Sequence, residues 1–334
     1  MKSLIQKLVE TPSPSGREEN IRQVIRLEVK SYADDLRTDA LGNLIARKGQ
    51  VSQGGSKVML AAHIDEIGVI VTHIDEKGFL RFTTIGGVRP TTCLGGRVRF
   101  LNGQLGVIGS ERVDDPGKLP NFENLYIDIG ASQCSEVVIR VGDMAVFERP
   151  FLDLGDRLVS KAMDDRIGAA VLVETLRQWQ PSPHQVFFVF SVQEEVGLRG
   201  ATTAAFGVDP DLGLAVDVTG TGDTPKGLKM EVSLGKGPTI KVRDGGMISD
   251  PRLVNWMVRT AENARIPFQL EVLEGGTTDA RAMQLTRSGV PAGCVSIPCR
   301  YVHSPSEMVD YNDVQNAVRL LLELLRKPIQ LGPA

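Results

Sequence analysis

The chain is 334 residues long, room for about two domains at roughly 150 residues each. With 42% hydrophobic and 24% charged residues, wholesale disorder is excluded. Lys and Arg number 38 against 41 Asp and Glu, a net charge of −3, which argues against a nucleic-acid binder working through a broad basic face. No apolar run approaches the roughly 20 residues that span a bilayer, so no membrane association is expected. The amphipathic N-terminal stretch lacks the continuous apolar run of a signal peptide. The four cysteines, Cys93, Cys134, Cys294 and Cys299, form no C-x-x-C pair. They read as small buried hydrophobes in a reducing compartment, and a cytoplasmic location is expected.

In chain order, Leu4, Ile5, Leu8 and Val9 share one face of a helix over residues 3–10. After Thr11-Pro12-Ser13-Pro14, the run Ser15-Gly16-Arg17-Glu18 has capping-box spacing and predicts a second helix to about Ser31. Short strands follow at Asn43–Arg47 and Val58–Ala62, the second ending at His63. From about Glu66 to Arg157 the runs Gly68–Ile74, Phe79–Ile85, Arg97–Leu101 and Leu105–Ile108 alternate, with glycine and proline between them and no sustained helical period. That texture predicts an inserted all-β module. Beyond it, helices at Asp165–Trp179, Pro251–Ala264 and Ala280–Ser288 interleave with apolar strands at Val186–Val192, Leu212–Val218, Phe268–Val272 and Ala292–Ile297. A last helix, Tyr311–Arg326, closes the chain. Apolar strands between amphipathic helices predict an α/β fold, a mainly parallel sheet with helices on both faces. The expected division is a discontinuous α/β domain, residues 1–65 and 158–334, interrupted by a β-rich domain at 66–157.

Phosphate-loop, dinucleotide-binding, G-x-S-x-G and H-E-x-x-H signatures are absent. What stands out is a set of histidines and carboxylates at predicted strand ends: His63-Ile64-Asp65, Asp164-Asp165, Glu194-Glu195, Asp217 and His303. In an open α/β sheet, ligands bind beyond the carboxyl ends of the strands, so His63, Glu194, Glu195 and Asp217 are expected to converge. Singly, each has a plain structural reading: a satisfied histidine, an N-cap at Asp164, a solvated turn at Glu194-Glu195. An unpaired Asp217 after an apolar strand is costly to bury. Imidazoles and carboxylates without thiolates make an N/O site suited to Zn²⁺, Co²⁺ or Mn²⁺. Asp164, His63, Asp217, His303, Glu195 and Glu194 supply the inventory for two metals, a shared carboxylate, a hydroxide between the ions and a spare base. His73 and His184 are read as structural.

These residues lie in stretches that together resemble the M42 metallo-aminopeptidases, the glutamyl, leucyl and deblocking aminopeptidases that form tetrahedral assemblies. The resemblance runs almost end to end. It is carried by Leu8–Gly16, Ala62-His63-Ile64-Asp65-Glu66-Ile67-Gly68, Lys161–Gly168, Gln193-Glu194-Glu195-Val196-Gly197, Ala215-Val216-Asp217-Val218, Asp223-Thr224-Pro225 and Ser296–Pro305. It implies that Asp164 bridges two divalent metal ions, zinc first with cobalt or manganese as alternatives. His63 and Asp217 would complete one site, Glu195 and His303 the other. Glu194 would be the general base, a metal-bridging water the nucleophile, and Asp65 the partner that orients His63. Asp165 would belong to a strained peptide after the bridging acid. The resemblance also implies short peptide substrates, a β-rich dimerisation domain, and homodimers assembling into a tetrahedral dodecamer. The stretch Gly275-Gly276-Thr277-Thr278-Asp279-Ala280, less glycine-rich than in many members, is expected near the substrate.

The expected reaction is removal of N-terminal residues from peptides. A related metal-dependent amidohydrolase acting on N-acyl amino acids or dipeptides is the nearest alternative. Two others are an endoglucanase, whose acids would have to flank a sugar bond, and a non-catalytic assembly protein with structural metals.

Overall fold

A computed structural model describes residues 1–112 and 120–331. Residues 113–119, within the expected β-rich insertion, and 332–334, at the end of the expected α/β range, lie outside the described residues. The chain opens with α1 (Lys2–Val9), α2 (Glu19–Val29), β1 (Asp35–Thr38), β2 (Leu44–Lys48) and β3 (Lys57–His63). The next segment holds β4 (Gly68–Ile74), β5 (Leu80–Ile85), the single turn α3 (Pro90–Cys93), β6 (Arg97–Phe100), β7 (Leu105–Ser110), β8 (Leu125–Asp128) and β9 (Met144–Phe147). There follow β10 (Leu152–Asp153), β11 (Arg157–Ser160), α4 (Met163–Arg177), β12 (Gln185–Ser191), α5 (Arg199–Val208) and β13 (Leu212–Thr219). The last part comprises β14 (Thr239–Arg243), α6 (Pro251–Asn263), β15 (Gln269–Val272), α7 (Asp279–Gln284), β16 (Ala292–Arg300), β17 (Glu307–Asp310) and α8 (Tyr311–Leu325).

Eleven strands form one sheet in the order β1-β2-β12-β3-β13-β16-β17-β11-β10, with β14 and β15 attached beside β16. Its centre, β12-β3-β13-β16, is parallel. The expectation of a mainly parallel sheet needs correction, because β1, β2, β10, β11 and β17 all pair antiparallel and β14 meets β16 antiparallel. For β1–β2, β10–β11 and β16–β17 the physical reason is connection length: antiparallel neighbours need only a short turn, whereas each parallel pair needs a long crossover. The flanking strands are also short, two to five residues, too few for a readable period.

Alternate residues of β3 point to opposite faces, as the pleat requires. Val58, Leu60 and Ala62 pack with Ile5, Leu172 and Leu321 of α1, α4 and α8. Met59 and Ala61 pack with Ala204 of α5 and Met283 of α7. Helices therefore cover both faces. The second face was harder to read, since α5 (Arg-Gly-Ala-Thr-Thr-Ala-Ala-Phe-Gly-Val) contains two glycines and two threonines that weaken its helical signature.

Strands β4-β5-β8-β7-β6-β9 close into a barrel. Its core is a separate apolar cluster that includes Val69, Leu80, Val98, Phe100, Ile127 and Phe147. At the junction, Glu66 accepts hydrogen bonds from the Ser13 backbone N–H at 2.9 Å and from Lys161 Nζ at 2.6 Å. Fully buried Arg166 donates to the Leu8 and Thr11 carbonyls at 2.6 and 3.0 Å. These contacts tie the N-terminal segment beneath α4 and beside the start of the barrel. Cys93, Cys294 and Cys299 are buried, as expected, but Cys134 is exposed.

Candidate metal centre

The carboxyl ends of β3, β12, β13 and β16 carry His63, Glu194-Glu195, Asp217 and His303, and α4 starts with Asp164 at the same end of the sheet. Asp164 stands at the middle. Its Oδ1 lies 2.9 Å from His63 Nε2 and its Oδ2 lies 3.3 Å from His303 Nε2. His303 Nε2 is also 3.2 Å from Glu195 Oε2. Potential ligand atoms of His63, Asp164 and Asp217 lie within 4.8 Å of one another, and so do those of Asp164, Glu195 and His303. The two clusters share only Asp164. Glu194 Oε2 lies 3.9 Å from His63 Nε2 and belongs to neither cluster.

Behind these groups sits a layer of hydrogen-bond acceptors. Asp65 accepts from the backbone N–H of Glu194 at 3.0 Å and of Glu195 at 3.2 Å, and from Ser15 Oγ at 2.6 Å. Its Oδ1 is 3.4 Å from His63 Nδ1. Glu307 accepts from the backbone N–H of His303 at 2.7 Å and of Asp164 at 3.0 Å. Glu18 accepts from the Gly16 N–H at 2.6 Å and the Gln193 N–H at 3.2 Å. Gln193 and His303 are both in left-handed backbone, φ 56° and 62°. For non-glycine residues that costs roughly 1–2 kcal/mol each. A buried glutamate grips the amide of each one, which holds the following Glu194 and the His303 ring in place. The Asp164–Asp165 peptide is cis.

Ser15-Gly16-Arg17-Glu18 does not cap α2, which has Glu18 at its N-cap with no side-chain cap bond. The hydroxyl of Ser15 is committed to Asp65 and the carboxylate of Glu18 to Gly16 and Gln193. Local capping has given way to positioning of the site.

Electrostatics give the cluster a clear sign. Burial pushes Glu194 and Asp217 well above the usual carboxylate range; His63 opposes this in both, while neighbouring acids add to it. Burial likewise raises Asp165 and Glu195. Burial disfavours charge on His303, but Asp164 and Glu195 outweigh it and push the imidazole up to about 11. Glu307 is pushed up to about 8, by burial and by the charge of Asp164. Among the described residues, Asp165 Oδ2, Glu195 Oε1 and Asp279 Oδ1 are buried carboxylate oxygens with no hydrogen-bond partner. So many desolvated acids around two imidazoles favour bound cations, and the N/O donor set fits two divalent ions.

The end of β5 closes over this centre. A Cβ on Gly87 would collide with the His303 ring, and one on Gly86 (φ +74°) would come within 2.9 Å of Glu195 Oε2. Glycine is required at both positions for the barrel to approach so closely. The resulting cleft, about 430 Å³, is lined on its other side by Lys241, Leu273, Thr277, Thr278 and Arg281.

All seven site residues named from the sequence, His63, Asp65, Asp164, Glu194, Glu195, Asp217 and His303, meet here. His184 is a buried tie, accepting from the Ser56 N–H at 3.0 Å with Nε2 2.9 Å from the Lys327 carbonyl. His73 is exposed on the barrel. Sequence reasoning missed Glu307, Glu18 and Asp279, whose carboxylate is bonded to Ser191. The available signal for Glu307 was its place four residues after His303, and for Asp279 the Thr-Asp-Ala run.

The M42 glutamyl aminopeptidase family matches residues 42–320. The lysyl aminopeptidase of Pyrococcus furiosus is 38% identical over 349 residues, covering 99% of each chain. Among solved structures, an aminopeptidase from the archaeon Desulfurococcus kamchatkensis superposes with a TM-score of 0.93 at 44% identity, covering 97% of this chain and 94% of that one. The TET1 peptidase of Pyrococcus horikoshii, which can assemble into a tetrahedron or a large octahedral shell, gives 0.88 at 33% identity, covering 97% and 99%. The chain belongs to the M42 aminopeptidase family and is a hydrolase of that family.

Proposed function

We propose that the protein is an aminopeptidase dependent on two divalent metal ions, releasing N-terminal residues from short peptides. The carrying observation is Asp164, whose two carboxylate oxygens face His63 and His303 separately. In this reading His63, Asp164 and Asp217 would hold one ion, and Asp164, Glu195 and His303 would hold the other. Zinc is the first choice, and cobalt or manganese suit the same donors. When bound, the ions would supply Lewis-acid polarisation of the scissile carbonyl and a lowered pKa for an attacking water. Glu194, left out of both clusters yet lining the cleft, takes a proton from that water as its oxygen bonds to the carbonyl carbon. The C–N bond then breaks, and Glu194 returns the proton to the leaving amine. Asp65 and Glu307 act on backbone amides and the His63 ring, fixing the ligands rather than reacting.

We further assign residues 1–65 and 158–334 to a catalytic domain and 66–157 to a dimerisation domain. The distinct barrel core supports that division. We propose assembly of dimers into a dodecamer, a reading supported by the dodecamer in a solved PhTET1-12s structure. A cytoplasmic location agrees with free cysteines in the fold.

The test is a panel of aminoacyl anilides, free and N-acetylated, before and after chelation and with Zn²⁺, Co²⁺ or Mn²⁺ restored. Metal-dependent release from free-amine substrates is expected. Release from acetylated substrates alone would transfer the protein to the amidohydrolases.

A further inference from the structure

Two cations besides the histidines line the cleft, and they differ in what surrounds them. Lys241 is buried and paired with Glu271, which also accepts from Thr219 Oγ1 at 2.7 Å and Thr239 Oγ1 at 2.5 Å. Its charge is neutralised in place. Arg281 is exposed, and among the described residues its guanidinium has neither a carboxylate partner nor a hydrogen bond.

The stem of Arg281 is nevertheless held. A Cβ added at Gly246 would stand 2.8 Å from Arg281 Cδ and would also strike Thr277 Oγ1. The bare backbone of Gly246 thus makes the bed for both side chains. Thr277 Oγ1 is itself a buried hydroxyl without a partner. Arg281 lines the same cleft as His63, Asp164, Glu194, Glu195, Asp217 and His303. An arginine side chain therefore stands on the wall of the cavity into which the candidate metal ligands open.

Arg281 also lines a second cavity of about 560 Å³, which shares Gly197 and Leu198 with the first. Its wall includes Leu285, 67% exposed, and Phe206, 57% exposed with the Arg287 guanidinium stacked 3.5 Å from its ring centroid. A path thus leads from the metal ligands past a free guanidinium onto a shelf made by Leu285 and the uncovered part of the Phe206 ring.

We propose that Arg281 is a substrate-binding residue that receives the C-terminal carboxylate of a di- or tripeptide, with the downstream side chains resting on Phe206 and Leu285. The proposal rests on the aminopeptidase reading. A guanidinium matches a carboxylate in charge and in its fork of donors, and a tripeptide spans roughly 10 Å. The enzyme then selects short peptides with a free carboxyl end.

The test compares Leu-Leu-Leu with Leu-Leu-Leu-amide on the metal-loaded full chain. In the wild type the free acid is expected to be favoured about tenfold in kcat/KM, the difference lying in KM, as suits one charge-assisted pair. Arg281→Gln should bring the ratio near one, and Arg281→Lys should retain part of it. Gly246→Ala, which displaces the arginine stem, should move the ratio the same way as Arg281→Gln. A wild-type ratio near one, or a ratio untouched by Arg281→Gln, overturns the proposal. So does an effect confined to Glu-Leu-Leu-amide against Gln-Leu-Leu-amide, which would put the bound carboxylate on the N-terminal residue. Release of no N-terminal residue from free-amine tripeptides with apolar, acidic and basic first residues would instead overturn the aminopeptidase reading, and this proposal with it.

Discussion

Between residues 67 and 157 no polar side chain among the described residues is buried, and the barrel core is built from groups such as Val69, Leu80, Phe100 and Ile127. At the carboxyl ends of the central strands, Asp65, Asp164, Asp165, Asp217, Asp279 and Glu307 are buried together with His63. The barrel gains stability from apolar burial with nothing to satisfy. The sheet end sacrifices stability, since desolvated acids must be gripped by backbone amides or by cations. The contrast teaches where substitutions should be felt as lost turnover and where as lost stability.

The largest effect expected is at Glu194. Glu194→Gln should lower kcat by about 10²–10⁴-fold, the range for a lost general base, while the melting temperature and the bound metal stay close to wild type. Comparable turnover in that variant would remove Glu194 from the mechanism. The barrel should behave in the opposite way. Phe100→Ala empties a core position and should cost about 3–5 kcal/mol by denaturant unfolding, with kcat per folded molecule unchanged. A variant equally stable but slower would break the division of labour.

How far this contrast was readable from the chain follows the same line. The barrel strand Gly68–Ile74 falls where the alternation put it, because a half-buried strand records its two faces in its sequence. The helix α8 (Tyr311–Leu325) is equally legible from its apolar stripe. The ligands stood out as polar residues ending apolar strands. Ser15 and Glu18 were misread, since capping-box spacing is a local signal and their partners Asp65 and Gln193 are distant in sequence. Glu307 carried only its closeness in sequence to His303, since a glutamate that binds backbone amides leaves no further pattern in a single sequence. Short β17 escaped for lack of length.

Glu307 offers a sharper probe of the polar end. Glu307→Gln should weaken metal binding by about 10–100-fold, the usual effect of losing a partner that orients a ligand, measurable by competition with a chromogenic chelator. Unchanged affinity would show that His303 and Asp164 hold their positions without it.

The smallest effect lies at the rim of the sheet. Arg300 donates to Asp223 through Nε at 2.9 Å and Nη2 at 2.7 Å. That pairing holds the Asp223 carboxyl well below the usual range. A depressed folded-state pKa stabilises the fold above the unfolded value of about 4, and the contribution fades as pH falls below it. Partial exposure limits it to about 1 kcal/mol or less. Asp223→Asn should lower the melting temperature slightly at pH 7, with the gap to wild type constant down to about pH 4 and narrowing only below it, toward the depressed folded-state value. A gap that widens, or keeps its full size, as the pH falls from about 4 to about 2 would mean that the pair's charge is not the cause.

The central claim, that the crowded acids exist to hold two ions for peptide hydrolysis, is tested most directly by titrating the chelated protein with Zn²⁺. Bound metal per chain and release of a free-amine aminoacyl anilide would be followed together. Activity rising to a plateau at two ions per chain, with Asp164→Asn failing to reach that stoichiometry, is the predicted result. Full activity after complete chelation, or saturation with no ion in the His63–Asp164–His303 region, would contradict it.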